Sequence, residues 1–364
     1  MDWLNRCHFG DVRAVLRRMI ADGVQVHTIV TSPPYWGLRS YLPAEHPDKA
    51  FEIGAEPTIG EFIVGMVEVF DLARQVLRDD GTMWVNMGDS YAASSLSNHG
   101  RGKATPATNS RGEPQPGAGW ENPPRRMPGD GLKSKDLIGQ PWRLAFALQD
   151  AGWWLRQDII WHKPNPMPES IKDRCTKAHE YVFLLSKSER YHFDHEAIKE
   201  QGTGQVPGNV NPVKGAIAYG DGDERLRTRS GLNAYADRAR SKRNSFARET
   251  KYSDGEHGQK PQARPGREDI DYFGERHKRS VWTVATAPYK GAHFATFPPA
   301  LIEPCILAGA PGGGIVLDPF FGSGTTGQVA QQLGRNFIGI ELNAANDSLQ
   351  AERLRQASLR LEAA

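Results

Sequence analysis

Over most of the chain, short apolar runs alternate with amphipathic stretches, and that alternation admits few folds. "DVRAVLRRMIADG" places Val12, Leu16, Met19 and Ile20 on one helical face, with Asp11 as N-cap and Gly23 as stop. "VHTIVTS" then reads as a buried strand. "IGEFIVGMVEVFDLARQVLRDDG" predicts a long amphipathic helix closed by Gly81, and "TMWVNMGD" predicts the strand after it. "PWRLAFALQDAG" predicts a helix, and "WWLRQDIIWHKP" a strand ending at a proline. "HEYVFLLSKS" and "RYHFD" predict two strands joined by a turn. Toward the C-terminus come helix "PPALIEPCILAGA", strand "GGIVLDPF", helix "TGQVAQQLG", strand "NFIGIEL" and a last helix, "NDSLQAERLRQASLRLE". The expected fold class is α/β, a doubly wound, mainly parallel sheet.

Two stretches break the alternation. Residues 92–135 are Gly, Pro, Ser and Asn with scattered Arg, and residues 199–280 are polar throughout. Neither composition buries enough apolar area to fold well unaided. Long insertions of this kind in an α/β core are functional or disordered. No internal repeat is visible.

The bulk figures bound the remaining possibilities. The chain has 364 residues, 38% of them hydrophobic, and a mean hydropathy of -0.56, in keeping with a soluble protein carrying polar insertions. No apolar run approaches the ~20 residues that span a membrane. The N-terminus lacks the basic-then-apolar layout of a signal peptide. Cys7, Cys175 and Cys305 are too scattered for a disulfide framework or a C-x-x-C metal site, so a reducing, cytoplasmic setting is expected. A net charge of +2 does not by itself identify a nucleic-acid partner.

Two motifs carry chemistry. In "TSPPYW", two prolines end a strand and hold Ser32, Pro33, Pro34 and Tyr35 on a rigid turn. The plain alternative is a strand-ending turn with buried aromatics. In "GGGIVLDPFFGSGTTGQVAQQLG", residues Gly322 to Gly327 fit G-x-G-x-x-G between a strand and a helix. Glu341 ends the next strand, where a carboxylate would grip ribose hydroxyls. The turn has no Lys-Ser/Thr pair, so it is no P-loop. A nicotinamide or flavin dinucleotide and S-adenosylmethionine both fit such a turn. Asp318, just before the glycines, suits the cationic sulfonium and ammonium of S-adenosylmethionine; a helix cap is its plain alternative.

Taken together, these motifs make the chain resemble the bacterial and phage DNA amino-methyltransferases of the β permutation class. In that class the [DNS]-P-P-[YFW] motif is early and the cofactor motif is late, as "TSPPYW" and "DPFFGSGTT" are here. "DLIGQPWRLAFALQDAGWWLRQDIIWHKPNPMPES" with "DRCTKAHEYVFLLSKSERYHFD" resembles the family's central block, and "VWTVATAPYKGAHFATFPPALIEPCILAGAPGGGIVLDPFFGSGTT" its cofactor half. "FGDVRAVL" resembles the Gly-Asp segment near the cofactor's adenine. "ELNAANDSLQ" departs from the family's Asn-Pro-x-Tyr.

The resemblance implies a circularly permuted class I methyltransferase with a Rossmann-like sheet. Residues 1–91 and 136–198 would be the catalytic half, 92–135 a polar insertion, 199–280 the target-recognition region and 281–364 the cofactor half. It implies transfer of a methyl group from S-adenosylmethionine to the exocyclic amino group of a flipped adenine (N6) or cytosine (N4) in double-stranded DNA. Ser32, Pro33, Pro34 and Tyr35 would be catalytic. Asp11, Thr296, Phe297, Asp318, Phe320, Gly322, Ser323, Gly324, Thr325, Glu341 and Asn343 would bind the cofactor. Phe294 would join that pocket. Arg238, Arg240, Lys242, Arg243 and Arg248 would meet DNA, against the alternative of a solvated loop. No metal is implied: His179-Glu180 would support the base pocket. Trp153, Trp154 and Trp161 would be core.

A serine before the two prolines is commoner among the family's cytosine enzymes, though both bases present an NH2 group with two donors. The resemblance admits a homodimer and a cognate restriction endonuclease as partners, and a bacterial nucleoid or phage setting. A dinucleotide oxidoreductase, a catalytically inactive DNA-binding module, and RNA or protein glutamine as acceptor are the rival readings.

Overall fold

A strand order that reverses at its centre governs this architecture. The computed structural model describes residues 2–38, 40–92, 131–202, 275–286 and 297–362. The elements run β1 (Arg6–Phe9), α1 (Val12–Ala21), β2 (Val26–Thr31), α2 (Ile59–Val76), β3 (Leu77–Met87), α3 (Gln140–Asp150), β4 (Trp154–His162) and β5 (His179–Ser186). After them come β6 (Glu200–Gln201), β7 (Glu275–Arg276), β8 (Val281–Thr283), α4 (Pro299–Gly309), β9 (Ile315–Asp318), α5 (Thr325–Gln332), β10 (Asn336–Glu341) and α6 (Asp347–Glu362). The main sheet has the order β1-β10-β9-β2-β3-β5-β4-β8. Neighbours from β1 to β3 are parallel, β5 is antiparallel to both β3 and β4, and β8 lies parallel to β4. The mainly parallel α/β fold read from the sequence is the fold observed.

Period-2 alternation sorts the strand residues onto two cores. Ile29, Met83, Val85, Phe183, Leu185, Leu317, Ile338 and Ile340 face the helices α1, α2 and α3. Val30, Trp84, Val182, Leu184, Val316 and Phe337 face α4 and α5. Over the centre of the sheet, from β10 to β5, both faces are therefore covered, which is why those strands read as nearly continuous apolar runs. Gly339 on β10 is required by this packing: a Cβ there would lie 2.4 Å from the Phe321 ring, which stacks on Phe337 at 5.4 Å.

Local signals set several boundaries. The Asp11 side chain accepts from the Arg13 N–H at the start of α1, and Gly23 ends that turn with φ +68°. The Thr58 hydroxyl accepts from the Glu61 N–H at the start of α2. Two expectations fail. The helix closed by Gly81 stops at Val76, because Leu77 pairs with Val26 and is fully buried, so tertiary pairing overrides helical propensity. "RYHFD" forms no strand. Both edges of β5 are already taken by β3 and β4, so no edge remains for it to join. It makes single bonds instead, His192 N–H to the Asp80 carbonyl and Asp194 N–H to that of Ala308. β1 and β8, of four and three residues, gave too little apolar periodicity to be expected.

Contacts divide the chain into residues 1–198 with 279–364, and residues 199–278. Within the second unit, β6 and β7 pair antiparallel, Glu200 opposite Arg276, and the Arg276 guanidinium bonds the Glu200 carboxylate at 3.0 Å.

Candidate active site

Parallel strands present their C-terminal ends at one edge of the sheet, and a crevice opens where the order of connection reverses. Here that point lies between β2 and β9. A cavity of about 740 Å³ sits there, lined by the segments following β1, β2, β3, β9 and β10, the end of β4 and the start of β5. That volume is in the range of a cofactor or substrate pocket.

One wall is the Ser32-Pro33-Pro34-Tyr35 turn, all four residues of which face the cavity. The turn is fastened from behind. Buried Gln140 accepts from the Trp36 N–H at 3.0 Å and donates to the Gly88 carbonyl at 2.9 Å, tying the turn to the end of β3. The Tyr35 hydroxyl donates to Glu180 Oε2 at 3.0 Å. Lys163 pairs with the other oxygen of Glu180, and Asn86 donates to Oε2 at 3.4 Å. Burial, then the adjacent Glu180 charge, push the Tyr35 phenol well above its ordinary pKa, and the nearby Ser32 hydroxyl opposes that rise. Tyr35 is thus neutral and donates to Glu180. At Gly88 a Cβ would stand 3.0 Å from both Tyr35 and Glu180, so a side chain there would break this arrangement.

The opposite wall is the glycine turn. Gly322 and Gly324 have φ of +53° and +85°, which side chains resist. Glu341 accepts from the Gly322 N–H at 2.7 Å and from the Asn343 N–H at 2.8 Å, one on each oxygen. The Asn346 side chain also approaches this carboxylate, and the remaining lone pairs are open to hydroxyl donors. Burial raises the Glu341 pKa. Asp318 is buried at the end of β9. It accepts from Thr31 and Thr326, each at 2.6 Å, and from the Phe320 N–H at 3.0 Å. Desolvation raises it to about 6 despite those bonds. Asp318 therefore clamps β2, β9 and α5 together and caps none of the helices.

The expected cofactor residues fall into three groups. Phe297, Asp318, Phe320, Gly322, Ser323, Thr325, Glu341 and Asn343 line the cavity, with Gly324 inside the same turn. Asp11 caps α1 and pairs with Arg13 at 3.6 Å; its neighbours Gly10 and Val12 line the cavity instead. Thr296 and Phe294 lie outside the described residues, as do Arg238, Arg240, Lys242, Arg243 and Arg248. Asn343 caps a short turn, accepting from the Ala345 N–H, and donates to the Tyr41 carbonyl.

His179 and Glu180 both line the cavity. Trp153 and Trp161 are core, but Trp154 is 45% exposed, because alternation along β4 turns it to the outer face. Sequence reading missed Gln140, Lys163, Gln350 and Arg353. Gln350 donates to the Gly322 carbonyl at 2.7 Å and Arg353 to the Thr325 hydroxyl, so α6 braces the glycine turn. Their spacing of three on a helix was the available signal.

The residues fit S-adenosylmethionine. The Glu341 carboxylate lines a cavity of suitable volume, and the Ser323 hydroxyl is buried in the same lining with no protein partner. No helix among the described residues is long and apolar enough to cross a membrane.

Comparison with known proteins gives a consistent answer. A model of the N6/N4 methyltransferases, described as DNA methylase, matches residues 26–346. The chain is 40% identical over 345 residues to the type II methyltransferase M.Cfr9I of Citrobacter freundii, covering 95% of this chain and 86% of the relative. It is 39% identical to the type II methyltransferase M.SmaI of Serratia marcescens, covering 95% and 89%. Among solved structures, the PvuII DNA methyltransferase, titled cytosine-N4-specific, aligns at a TM-score of 0.51 and 16% identity over 96% of this chain and 85% of that one, a likeness of fold. A dinucleotide oxidoreductase is not favoured. The chain belongs to the DNA methylase family of N6/N4 amino-methyltransferases, which are S-adenosylmethionine-dependent enzymes.

Proposed function

We propose that this chain methylates cytosine N4 within a short specific sequence of duplex DNA. The observation that carries the amino-transfer reading is the opening of the Ser32–Tyr35 turn and the glycine turn onto one cavity at the sheet's switch point. The choice of cytosine rests on the serine before Pro33, commoner among cytosine enzymes in the resembled family.

An exocyclic amino group is a poor nucleophile, because its lone pair is delocalised into the ring. Ser32 and the Pro33 carbonyl would accept its two N–H bonds and favour a pyramidal nitrogen. The hydrogen-bond chain sets the direction of acceptance. Tyr35 donates to Glu180, which leaves its oxygen to accept from the nearby Ser32 hydroxyl, so the Ser32 oxygen would turn its lone pairs to the amino group. Fixed acceptors of this kind need no reorganisation at the moment of reaction. The Tyr35 ring offers a face on which an extruded base stacks. Glu341 would hold the ribose hydroxyls of S-adenosylmethionine, with Gly322, Ser323, Gly324 and Thr325 against it and Phe297 and Phe320 as apolar walls. When bound, that cofactor supplies an electrophilic methyl group on sulfonium. The 199–280 region, with its basic stretch from Arg238 to Lys251, would read the DNA. A homodimer and a companion restriction endonuclease enter this reading only through the family resemblance.

The test is incubation with methyl-labelled S-adenosylmethionine and genomic DNA, followed by nucleoside mass spectrometry and modified-base sequencing. N4-methylcytosine is expected, with S32A losing transfer and retaining cofactor binding. N6-methyladenine would overturn the choice of base. 5-Methylcytosine would overturn the amino-group mechanism, since that product needs a cysteine nucleophile and none lies in the turn.

A further inference from the structure

At the mouth of the cavity stands an apolar side chain that folding does not explain. Met167 is 86% exposed and lines the cavity. It sits between Pro166 and Pro168, which restrict the backbone on either side. The loop that carries it, between β4 and β5, is braced at several points. The Lys163 N–H bonds the Ala178 carbonyl at 2.8 Å and closes its base. Asn165 exchanges two hydrogen bonds with the Thr286 backbone, at 3.0 and 3.2 Å. Arg174 pairs with Glu169 at 2.6 Å and lies 3.9 Å over the Tyr91 ring. Lys177 donates to the Asp89 carbonyl at 2.9 Å. A loop held this firmly around a bare methionine presents that methionine in a fixed place.

We propose that Met167 is a wedge that enters the base stack and fills the gap left when the target base swings into the cavity. The inference rests on the amino-methyltransferase reading, and it adds a residue that holds the DNA rather than the base. Three facts support it. Met167 and Ser32 line the same cavity, and Met167 is its most exposed apolar lining side chain among the described residues. Extrusion exposes two unstacked base faces, and apolar wedges between base steps are a recurrent way to cover them. The methionine thioether is polarisable and unbranched, so it slides between flat rings that would reject a β-branched chain. Leu38 and Phe51 are also exposed at the cavity, at 46% and 48%, but neither stands as free of its own fold as Met167. Met167 is a positioning residue, and it touches none of the reacting atoms.

The experiment uses the full chain and a synthetic duplex carrying the site found by modified-base sequencing. Wild type, M167A and M167L are compared on this duplex and on one with an abasic position opposite the target base, where extrusion breaks no base pair. M167A should lose about tenfold or more in kcat/KM on the paired duplex. It should return to within about twofold of wild type on the abasic one, where the cost of extrusion is lowest. M167L should stay near wild type on both. Calorimetric affinity for S-adenosylmethionine, unchanged in M167A, establishes that the pocket is intact. Equal activity of M167A and wild type on paired DNA would overturn the wedge. So would an equal loss on both duplexes, which would mark a damaged loop. Absence of amino-methylated bases with the wild-type protein would overturn the underlying reading instead, before any variant is compared.

Discussion

At the residue scale, two carboxylates do different work. Glu180 accepts from the Tyr35 hydroxyl, and Lys163 balances its charge. E180Q keeps the shape and removes the charge. A hydrogen bond to a charged group exceeds a neutral one by about 1 kcal/mol. Transfer should therefore fall roughly five- to tenfold in kcat, while cofactor affinity is unchanged. Single-turnover assays with calorimetry check this, and unaltered kcat would remove Glu180 from the mechanism. Asp318 predicts a pH effect. Its folded pKa is about 6 against an ordinary 3.8, so between those values the folded chain holds a proton that the unfolded chain has lost. Stability from this carboxyl is therefore greatest below about pH 4 and falls as pH rises to about 6, by up to about 3 kcal/mol. D318N should lack this fall, so denaturant unfolding at pH 4 and pH 7 should show the wild-type advantage shrinking. A difference independent of pH would contradict the shift.

At the scale of elements, the glycine turn depends on a helix that its own motif does not include. Gln350 and Arg353 of α6 hold the Gly322 carbonyl and the Thr325 hydroxyl. Without them the turn loses two of its braces and pays more ordering entropy on binding. Q350A with R353A should weaken S-adenosylmethionine by up to about thirtyfold, at ~1 kcal/mol for each of the two lost bonds. Calorimetry measures it, with circular dichroism to establish that the fold persists. The glycine motif was legible because tight turns need residues without Cβ. The α6 braces were not, because a glutamine and an arginine on an amphipathic helix read as solvated surface.

At the scale of the whole molecule, residues 199–278 form a unit of their own. Glu200 and Arg276 are paired across β6 and β7, so the two ends of the intervening chain meet. Excising residues 202–274 and closing the strands with a two-residue turn should leave S-adenosylmethionine affinity within about twofold, and should abolish site preference in DNA methylation. Modified-base sequencing reads the outcome. Retained site preference would place recognition elsewhere in the chain.

The sequence by itself determined the alternation of strands and helices, the two turns that line the cavity and their order along the chain. These are local matters: periodicity sets which face is buried, proline fixes a turn, and glycine permits a close approach. Tertiary structure decided what the sequence left open. It ended α2 at Val76, because Leu77 was needed beside Val26. It denied "RYHFD" a strand, because β5 had no free edge. It turned Asp318 from an open carboxylate into a clamp between Thr31, 287 residues earlier, and Thr326. It brought Glu180 to Tyr35 across 145 residues. Such partners are chosen by which strands become neighbours, and a pairing between strands far apart in the chain leaves no periodic trace in either one.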